Sequence, residues 1–343
     1  MFGNIGKQYA SAIAEKVEGV VNQHFEKNAP SKTEKATESI GLVSGKRRAL
    51  FIGINYHGQR GELRGCINDV DNIKRFLQQN FRLDEIRVLT DDGKTPSPTR
   101  ANILAGFKWL RSGAKAGDSL ILHYSGHGGS VKDTDGDEED GMDETLIPVD
   151  HQTAGIIVDD EVHDVLVRGL PKGVRLTAIM DCCHSESMLD LPYTYNISGD
   201  LVITENERAK GFSKIVASSV KFALDGRKKD AMNSITEGMK LAMSSCGGGD
   251  SSARARAIQT RTTVADVVQF SGCKDSQTSA DAQIGGQATG AMSYALISSL
   301  KKNQNMTYTE LLKTMRQILE GKYTQVPMMT AGRKLDLNST FSL

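Results

Sequence analysis

The chain has 343 residues, of which 38% are hydrophobic, enough for one large domain or two small ones with a buried core. Lys plus Arg and Asp plus Glu each number 42, so the net charge of zero indicates neither nucleic acid nor a membrane surface as a partner. The cysteines are odd in number, and Cys182 and Cys183 are adjacent, which favours a reducing compartment over a disulfide scaffold. We therefore expect a cytoplasmic protein, with the nucleus as a second location.

The first 45 residues are predicted to be an appendage to the main domain. An amphipathic period predicts a helix over about Tyr9 to Phe25, and the polar stretch from Glu26 to Ser44 is typical of a linker. Charged residues interrupt the apolar positions between Met1 and Val21, so this segment fits neither a secretory signal nor a membrane span. The domain itself is predicted to comprise residues 46–343.

Short apolar runs alternate with helical periods from residue 49 onwards. The runs, which are typical of strands buried on both faces, are Ala49–Ile54, Ile86–Thr90, Ser119–Tyr124, Arg175–Met180, Ala265–Phe270 and a weaker one at Gln325–Thr330. The helical periods are Asn68–Phe81, Thr99–Leu110, Asp159–Leu170, Thr289–Lys301 and Tyr308–Glu320. This alternation predicts an α/β fold, a sandwich with a mostly parallel central sheet and helices on both faces.

The stretch from Ser198 to Thr263 breaks the alternation. It is rich in Lys, Arg, Ser and Gly, with Arg227–Lys229 and Gly247–Gly249 inside it. A segment of this length without clear strands predicts a mobile insertion, either functional or disordered, and a partial helix near Asp230 to Met243 stays open.

Two predicted strands end in residues that carry chemistry. Ser125–Gly129 follows one of them with a histidine among glycines, and Asp181–His184 follows another with two cysteines. Because ligands of such sheets bind at the carboxyl ends of the strands, we expect the two segments to lie together. His127 is then the base for a Cys183 nucleophile, and the backbone amides of Gly128 and Cys183 are the natural oxyanion donors. Taken singly, each is commonly a loop histidine or an inert buried cysteine.

These segments, Tyr124–Gly129 and Asp181–Ser185, resemble the two catalytic motifs of metacaspases, which are caspase-like cysteine peptidases. Further segments similar to type I members, particularly fungal ones, are Arg47–Tyr56, Leu63–Val70, Asp137–Gly141 and Gln277–Asp281. The resemblance extends from about Lys46 to the C-terminus. His127 precedes Cys183 by 56 positions in the sequence, close to the about 50 that separate the equivalent pair in caspases.

The resemblance implies a self-processing endopeptidase that cleaves protein or peptide substrates after Arg or Lys, with Cys182 only a neighbour of the nucleophile. It places substrate-binding groups at Asp69, Ser125 and Asp181, and fixed carboxylates suit a guanidinium. From the residues alone, Asp69 is equally well a helix N-terminal residue favoured by the dipole. Roles in cell death, stress or protein quality control are implied as well, and we expect a monomer.

The resemblance also implies Ca²⁺ as an activator. The carboxylates that match its ligands are Asp143, Asp159, Asp160 and Asp190. Hard oxygens from separate loops suit this ion, although Asp159 and Asp160 alone are more simply explained as caps of the following helix. The acidic run from Asp133 to Glu144 does not fit an EF-hand, because Glu138 stands where that loop requires glycine.

Glu186 departs from the family pattern, which usually has glycine after Cys-His-Ser. If the turn requires a positive φ angle, glutamate strains it, and its charge opposes formation of a Cys183 thiolate. The alternative function is therefore a catalytically impaired homologue that acts as a binding or regulatory module. A phosphate-binding protein with an anion cradle at Gly126–Gly129 ranks last, because this loop lacks a P-loop Lys-Ser/Thr ending.

Overall fold

The computed structural model describes residues 40–132, 142–182, 188–195, 201–202, 258–273, 282–284, 287–320 and 326–343. Apart from Val202, the described residues belong to one compact unit within residues 35–201 and 252–343. The predicted N-terminal helix and most of the Ser198–Thr263 insertion lie outside the described residues.

The strands and helices alternate along much of the described chain. The strands are β1 (Arg47–Gly53), β2 (Glu85–Thr90), β3 (Ser119–Ser125), β4 (Gly128–Lys132), β5 (Met142–Leu146), β6 (Ile157–Val158), β7 (Arg175–Asp181), β8 (Tyr193–Tyr195), β9 (Leu201–Val202), β10 (Asp266–Cys273), β11 (Ala282–Ile284), β12 (Gln287–Thr289) and β13 (Val326–Ala331). The helices are α1 (Cys66–Asn80), α2 (Arg100–Arg111), α3 (His151–Ala154), α4 (Asp159–Val162), α5 (Ala291–Lys302) and α6 (Tyr308–Leu319).

The central sheet has eight strands in the order β2-β1-β3-β7-β10-β13-β8-β9. The pairs β1–β2, β1–β3, β3–β7 and β7–β10 are parallel, whereas β13 pairs antiparallel with β10 and β8. Gly53 pairs with Ser125, and Ser125 with Asp181, so three strands end together at one edge. The α/β fold with a mostly parallel sheet is confirmed, and the six predicted strands are present with small shifts at their ends.

Apolar side chains of alternating strand residues pack on both faces of the sheet. In β3, Ile121 belongs to the core under α1, α5 and α6, whereas Leu120, Leu122 and Tyr124 belong to the core under α2 and α4. All residues of β3 are buried, which explains why the sequence shows a continuous apolar run here. A buried aliphatic or aromatic side chain contributes about 1.5–3 kcal/mol to folding, so these two layers hold the strand ends in place.

Local signals explain where the helices begin and end. Thr99 caps α2 by accepting the amide of Asn102, and Thr307 and Glu310 form a reciprocal capping box on α6. The predicted helix from Asp159 to Leu170 is shorter in the structure, because α4 continues only as a π-helical turn, His163–Val167. None of the helices in the described ranges has the length and apolar character that crossing a membrane requires.

Small β elements escaped the sequence prediction. The strands β4, β5 and β6 form an antiparallel sheet directly after His127, and β11 pairs with β12 as a hairpin. The described part of the predicted linker, residues 40–45, contacts the domain: Ile40 is buried, and the amide of Gly41 donates to Asp266 at 2.9 Å. The domain boundary after residue 45 stays a prediction.

Candidate active site

His127 lies between β3 and β4, at the edge where the parallel strands end. Its Nε2 atom is 2.6 Å from the carbonyl oxygen of Gly61. Because a carbonyl oxygen only accepts, Nε2 carries a hydrogen, and the neutral tautomer that fits this contact has its lone pair on Nδ1. Gly61 has a φ angle of +86°, and a Cβ atom there would lie 3.3 Å from Nε2, so any other residue would strain the backbone and crowd the imidazole.

Two tyrosines hold the backbone of His127. The hydroxyl of Tyr56 accepts the His127 amide at 2.9 Å and donates to the carbonyl of Ile147 at 2.6 Å. The hydroxyl of Tyr124 donates to the His127 carbonyl at 2.8 Å. Burial raises the pKa of both tyrosines, so both remain hydroxyl donors at neutral pH. The Tyr56 and His127 rings also lie 4.6 Å apart, which fixes the imidazole from one side.

The predicted nucleophile Cys183 lies outside the described residues, as do His184, Ser185 and Glu186. The residues before it are described: Asp181 ends β7 beside Ser125 of β3, and Cys182 is buried, only 4% exposed. This burial agrees with a packing role for Cys182. Gly128, the other predicted oxyanion donor, is half-buried in β4 opposite Leu146. The oxyanion role stays a prediction.

The chain after Cys183 is anchored at Leu189. The Leu189 amide donates to Oε1 of Gln269 at 3.0 Å, and its carbonyl accepts Nδ1 of His163 at 2.9 Å. Burial lowers the pKa of His163, so this imidazole is neutral at pH 7 and Nδ1 carries its hydrogen. The π-helical turn and β10 therefore fix the residues that follow the cysteine segment.

The three predicted substrate-binding residues are brought together on the α1 and α5 face of the sheet. Ser125 donates through Oγ to Oδ2 of Asp69 at 2.8 Å, and Asp69 is almost fully buried. The side chain of Asp181 is 3% exposed. Asp69, Ser125 and Asp181 together form the carboxylate cluster.

Backbone amides at the start of α5 bind both carboxylates of this cluster. The Gly290 amide donates to Oδ1 of Asp69 at 2.7 Å, and the amides of Met292 and Ser293 each donate to Asp181 at 2.9 Å. A helix N-terminus favours negative charge, so this placement offsets the repulsion between two buried anions. Sequence reasoning missed these residues, and no local motif marks them.

The predicted calcium ligands Asp143 and Asp159 lie close together near β5 and α4. Asp159 accepts the amide of Glu144 at 2.8 Å through Oδ2 and the amide of Asp160 at 2.9 Å through Oδ1. Burial raises the pKa of Asp159 to about 6, the Glu144 hydrogen bonds oppose this rise, and the charge of Asp143 adds to it.

The other two predicted ligands, Asp160 and Asp190, share an arginine. Arg261 is 5% exposed, its Nε lies 2.5 Å from Oδ2 of Asp190, and its terminal nitrogen pairs with Asp160. In the described residues no group of three or more side chains is arranged to hold a metal ion. The donor chemistry suits Ca²⁺, but here the guanidinium supplies the positive charge.

Comparison with known proteins agrees with this geometry. The model of the family described as metacaspase, peptidase C14 domain, matches residues 47–192. The chain is 48% identical over 302 residues to Metacaspase-1A of Neurospora crassa, which covers 87% of this chain and 65% of that protein. It is 49% identical to Metacaspase-1A of Aspergillus fumigatus, over 86% of this chain and 71% of the relative, and 49% identical to Metacaspase-1 of Ajellomyces capsulatus, over 85% and 82%.

A solved structure supports the fold independently. The crystal structure of a Geobacter sulfurreducens protein superposes with a TM-score of 0.51 at 21% identity, covering 87% of this chain and all of that chain. At this identity the likeness concerns the fold alone. The fold, the strand-end histidine and cysteine segments, and the fungal relatives together confirm the family resemblance. The chain belongs to the metacaspases, a family of caspase-like cysteine peptidases.

Proposed function

We propose that this chain is an endopeptidase that cleaves protein substrates after Arg or Lys, with His127 and Cys183 as its catalytic dyad. The observation that carries the proposal is the His127–Gly61 hydrogen bond, which leaves Nδ1 as the basic nitrogen at the edge where β7 delivers the cysteine segment. A neutral imidazole with a fixed tautomer is what a thiol needs as its base.

The proposed reaction proceeds through a thioester. Nδ1 of His127 accepts the thiol proton of Cys183, and the sulfur attacks the scissile carbonyl carbon. Amides of Gly128 and Cys183 donate to the oxyanion. The C–N bond then breaks, and the proton passes from Nδ1 to the leaving amine. A water molecule then gives a proton to Nδ1 of His127 as its oxygen adds to the thioester carbon. The C–S bond breaks, the carboxylic acid product leaves, and the proton passes from Nδ1 to the sulfur to restore the thiol.

The proposed preference for basic residues rests on the carboxylate cluster. Asp69 and Asp181 are buried, and hydrogen bonds fix their oxygens at 2.7–2.9 Å. Buried carboxylate oxygens in fixed positions suit charge-assisted hydrogen bonds from a guanidinium or ammonium group. A neutral side chain would not offer this charge complementarity.

Hydrolysis of a fluorogenic peptide that ends in Arg tests this function. We expect cleavage by the parent chain and none by Cys183→Ala. A parent chain without any hydrolysis, with calcium present, would instead favour the catalytically impaired homologue, and recovery in Glu186→Gly would then assign the loss to that position.

We further propose that Ca²⁺ stimulates the enzyme and competes with Arg261 for Asp160 and Asp190. The support is chemical: these carboxylates already bind one cation, and Asp143 and Asp159 add a second anionic pair nearby. Bound Ca²⁺ would neutralise these carboxylates. Arg261 lies near the end of the Ser198–Thr263 segment. Its release would therefore remove the ion pair with Asp160 that connects Arg261 to α4.

Self-processing within this segment is also a proposal, as are a role in cell death, stress or protein quality control, a monomeric state and a cytoplasmic or nuclear location. The segment contains Lys210, Lys221 and Arg227–Lys229, which match the proposed substrate preference. Activity against protein substrates follows from the family, whereas these finer properties rest on the resemblance and the residues.

A further inference from the structure

A buried hydrogen-bond chain connects His123 to Asp181 through Ser293. Nε2 of His123 lies 2.9 Å from Oγ of Ser293, and this hydroxyl donates to Oδ2 of Asp181. Because Ser293 uses its proton on the carboxylate, its oxygen accepts from His123, so Nε2 of this histidine carries the hydrogen. The two hydrogen bonds are therefore donated in one direction, from the His123 imidazole to the Ser293 hydroxyl and from that hydroxyl to the Asp181 carboxylate.

His123 is an unfavourable residue for the position it occupies. It is completely buried in β3, and its Nδ1 atom has no hydrogen-bond partner among the described residues. Leaving a buried polar nitrogen unpaired opposes folding, and an apolar side chain would avoid this loss. The hydrogen-bond chain to Asp181 gives the histidine a role that core packing does not.

Asp181 is fixed by donors on both of its oxygens. Oδ1 accepts the Met292 amide, and Oδ2 accepts the amide and hydroxyl of Ser293. Nε2 of His123 also approaches Oδ2 at 3.5 Å. These donors come from α5 and β3, so the carboxylate plane is set by two rigid elements and not by a loop.

The two carboxylates pack directly against the backbone of Gly290. A Cβ atom at this position would overlap with Oδ1 of Asp181 and lie 2.9 Å from Oδ2 of Asp69. Both carboxylates therefore lie against the same point at the start of α5. Any side chain at residue 290 would push directly against the two carboxylates.

We propose that Ser293 and His123 are positioning residues for recognition of a basic substrate side chain, because they hold Asp181 in the orientation that accepts a guanidinium or ammonium group. This inference rests on the proposed role of the carboxylate cluster. Both residues act on the choice of substrate and leave the reactivity of the Cys183 thiol unchanged.

The test compares Ser293→Ala with Ser293→Thr and with Ser299→Ala. Ser299 is a matched control, since it is equally buried in α5 and donates to the carbonyl of Ala295 at 2.7 Å, within its own helix. Peptides carry Arg, Lys or uncharged citrulline at the cleaved bond. Ser293→Ala should lose about tenfold in kcat/KM for Arg and Lys, mainly through KM, because one hydrogen bond to a charged group is lost.

The same variant should keep its rate of Cys183 alkylation by iodoacetamide, and its loss in kcat/KM should be smaller for the citrulline peptide than for the Arg peptide. Ser293→Thr, which retains the hydroxyl, should recover most of the Arg preference, and Ser299→Ala should match the parent. His123→Leu should show the same loss in kcat/KM for Arg and Lys peptides as Ser293→Ala, and His123→Gln should show a smaller loss. Thermal unfolding of both variants checks that the fold is kept. Binding of the Arg peptide to Cys183→Ala protein, with and without Ser293→Ala, gives the same comparison without turnover.

The outcomes separate the positioning role of Ser293 and His123 from the proposed role of the carboxylate cluster. A parent protein that binds and cleaves Arg and citrulline peptides equally would overturn both. A parent that prefers Arg, with an unchanged preference in Ser293→Ala, would overturn the positioning role alone. An equal loss in Ser299→Ala, or slower alkylation in Ser293→Ala, would also overturn it, since the effect would then be general to α5 or to the thiol.

Discussion

Gly61 and His127, which are 66 positions apart in the sequence, are joined by a 2.6 Å hydrogen bond from Nε2 to the backbone carbonyl. The carbonyl belongs to a glycine with a φ angle of +86°, a conformation that an L side chain adopts at a cost of about 1–2 kcal/mol. The orientation of the proposed base thus depends on a backbone conformation in a separate loop.

Gly61→Ala should therefore lower kcat by about tenfold, because strain and the added methyl group displace the carbonyl from Nε2. Gly58→Ala is the matched control: its φ angle is +73°, in the same loop, but a Cβ atom there has nothing within 4 Å. Steady-state kinetics of both variants measures the difference. Equal losses would mean that loop strain alone is responsible.

The dyad predicts unequal effects at the two adjacent cysteines. Cys183→Ala and His127→Ala should each reduce kcat by more than about a thousandfold, because nucleophile and base act as a unit. Cys182→Ala should keep most of the activity, since Cys182 is a buried side chain. Hydrolysis of the Arg peptide, with circular dichroism as a folding control, measures this. Substantial activity without Cys183 would contradict the assignment.

Removing charge from the carboxylate cluster should abolish the preference for basic residues. Asp69→Asn and Asp181→Asn should each lower kcat/KM for Arg peptides by about a hundredfold, since a buried cation is left without its anionic partner. Asp118→Asn serves as a control, because Asp118 is a buried carboxylate at the opposite end of β3 that binds the amides of Lys46 and Lys115. An unchanged ratio of Arg to citrulline cleavage would place the pocket elsewhere.

Competition at the acidic residues predicts tighter calcium binding when the guanidinium is removed. Arg261→Gln should lower the Kd for Ca²⁺ by about tenfold, since Asp160 and Asp190 lose an internal cation. Calorimetry on Cys183→Ala protein measures binding without activity. Arg333→Gln is the control, because Arg333 pairs with Asp266 on β10. Equal affinities in the Arg261→Gln and parental proteins would refute the competition.

Self-processing should occur within the Ser198–Thr263 segment, with residues 221–229 as the favoured window because they hold Lys221 and Arg227–Lys229. Intact-mass and N-terminal analysis after incubation with calcium locates the cuts, and the linker from Glu26 to Lys46 is the expected secondary target. Fragments that begin inside β7 or β10, or that also form in Cys183→Ala, would show that another process is responsible.

The sequence predicted the parts of the fold that depend on continuous apolar runs. The strands β1, β3 and β7 are buried on both faces, so their composition alone marks them. The strands β4 and β5 were missed because they are short, partly exposed and rich in Gly, Asp and Glu. Their antiparallel pairing is a tertiary property without a local signal.

The same distinction applies to the site. The glycine-flanked His127 and the acidic residues Asp69 and Asp181 are visible as motifs. Ser293 and Arg261 are not, because their roles follow from contacts with residues 112 and 101 positions away. In the sequence, Ser293 resembles any other serine of a predicted helix, and Arg261 is one of several basic residues in the Ser198–Thr263 segment. Long-range contacts of this kind require the folded chain.

The positions of the carboxylate cluster and of His127 both depend on the register of β3, because side chains alternate between the two faces of this strand. His123 and Ser125 face α1 and α5, whereas Tyr124 faces the opposite layer and holds His127. Deletion of one residue between Ser119 and Leu122 would turn each of these side chains to the wrong face. Point substitutions can therefore separate substrate choice from catalysis, but changes in the length of this strand must remove both together.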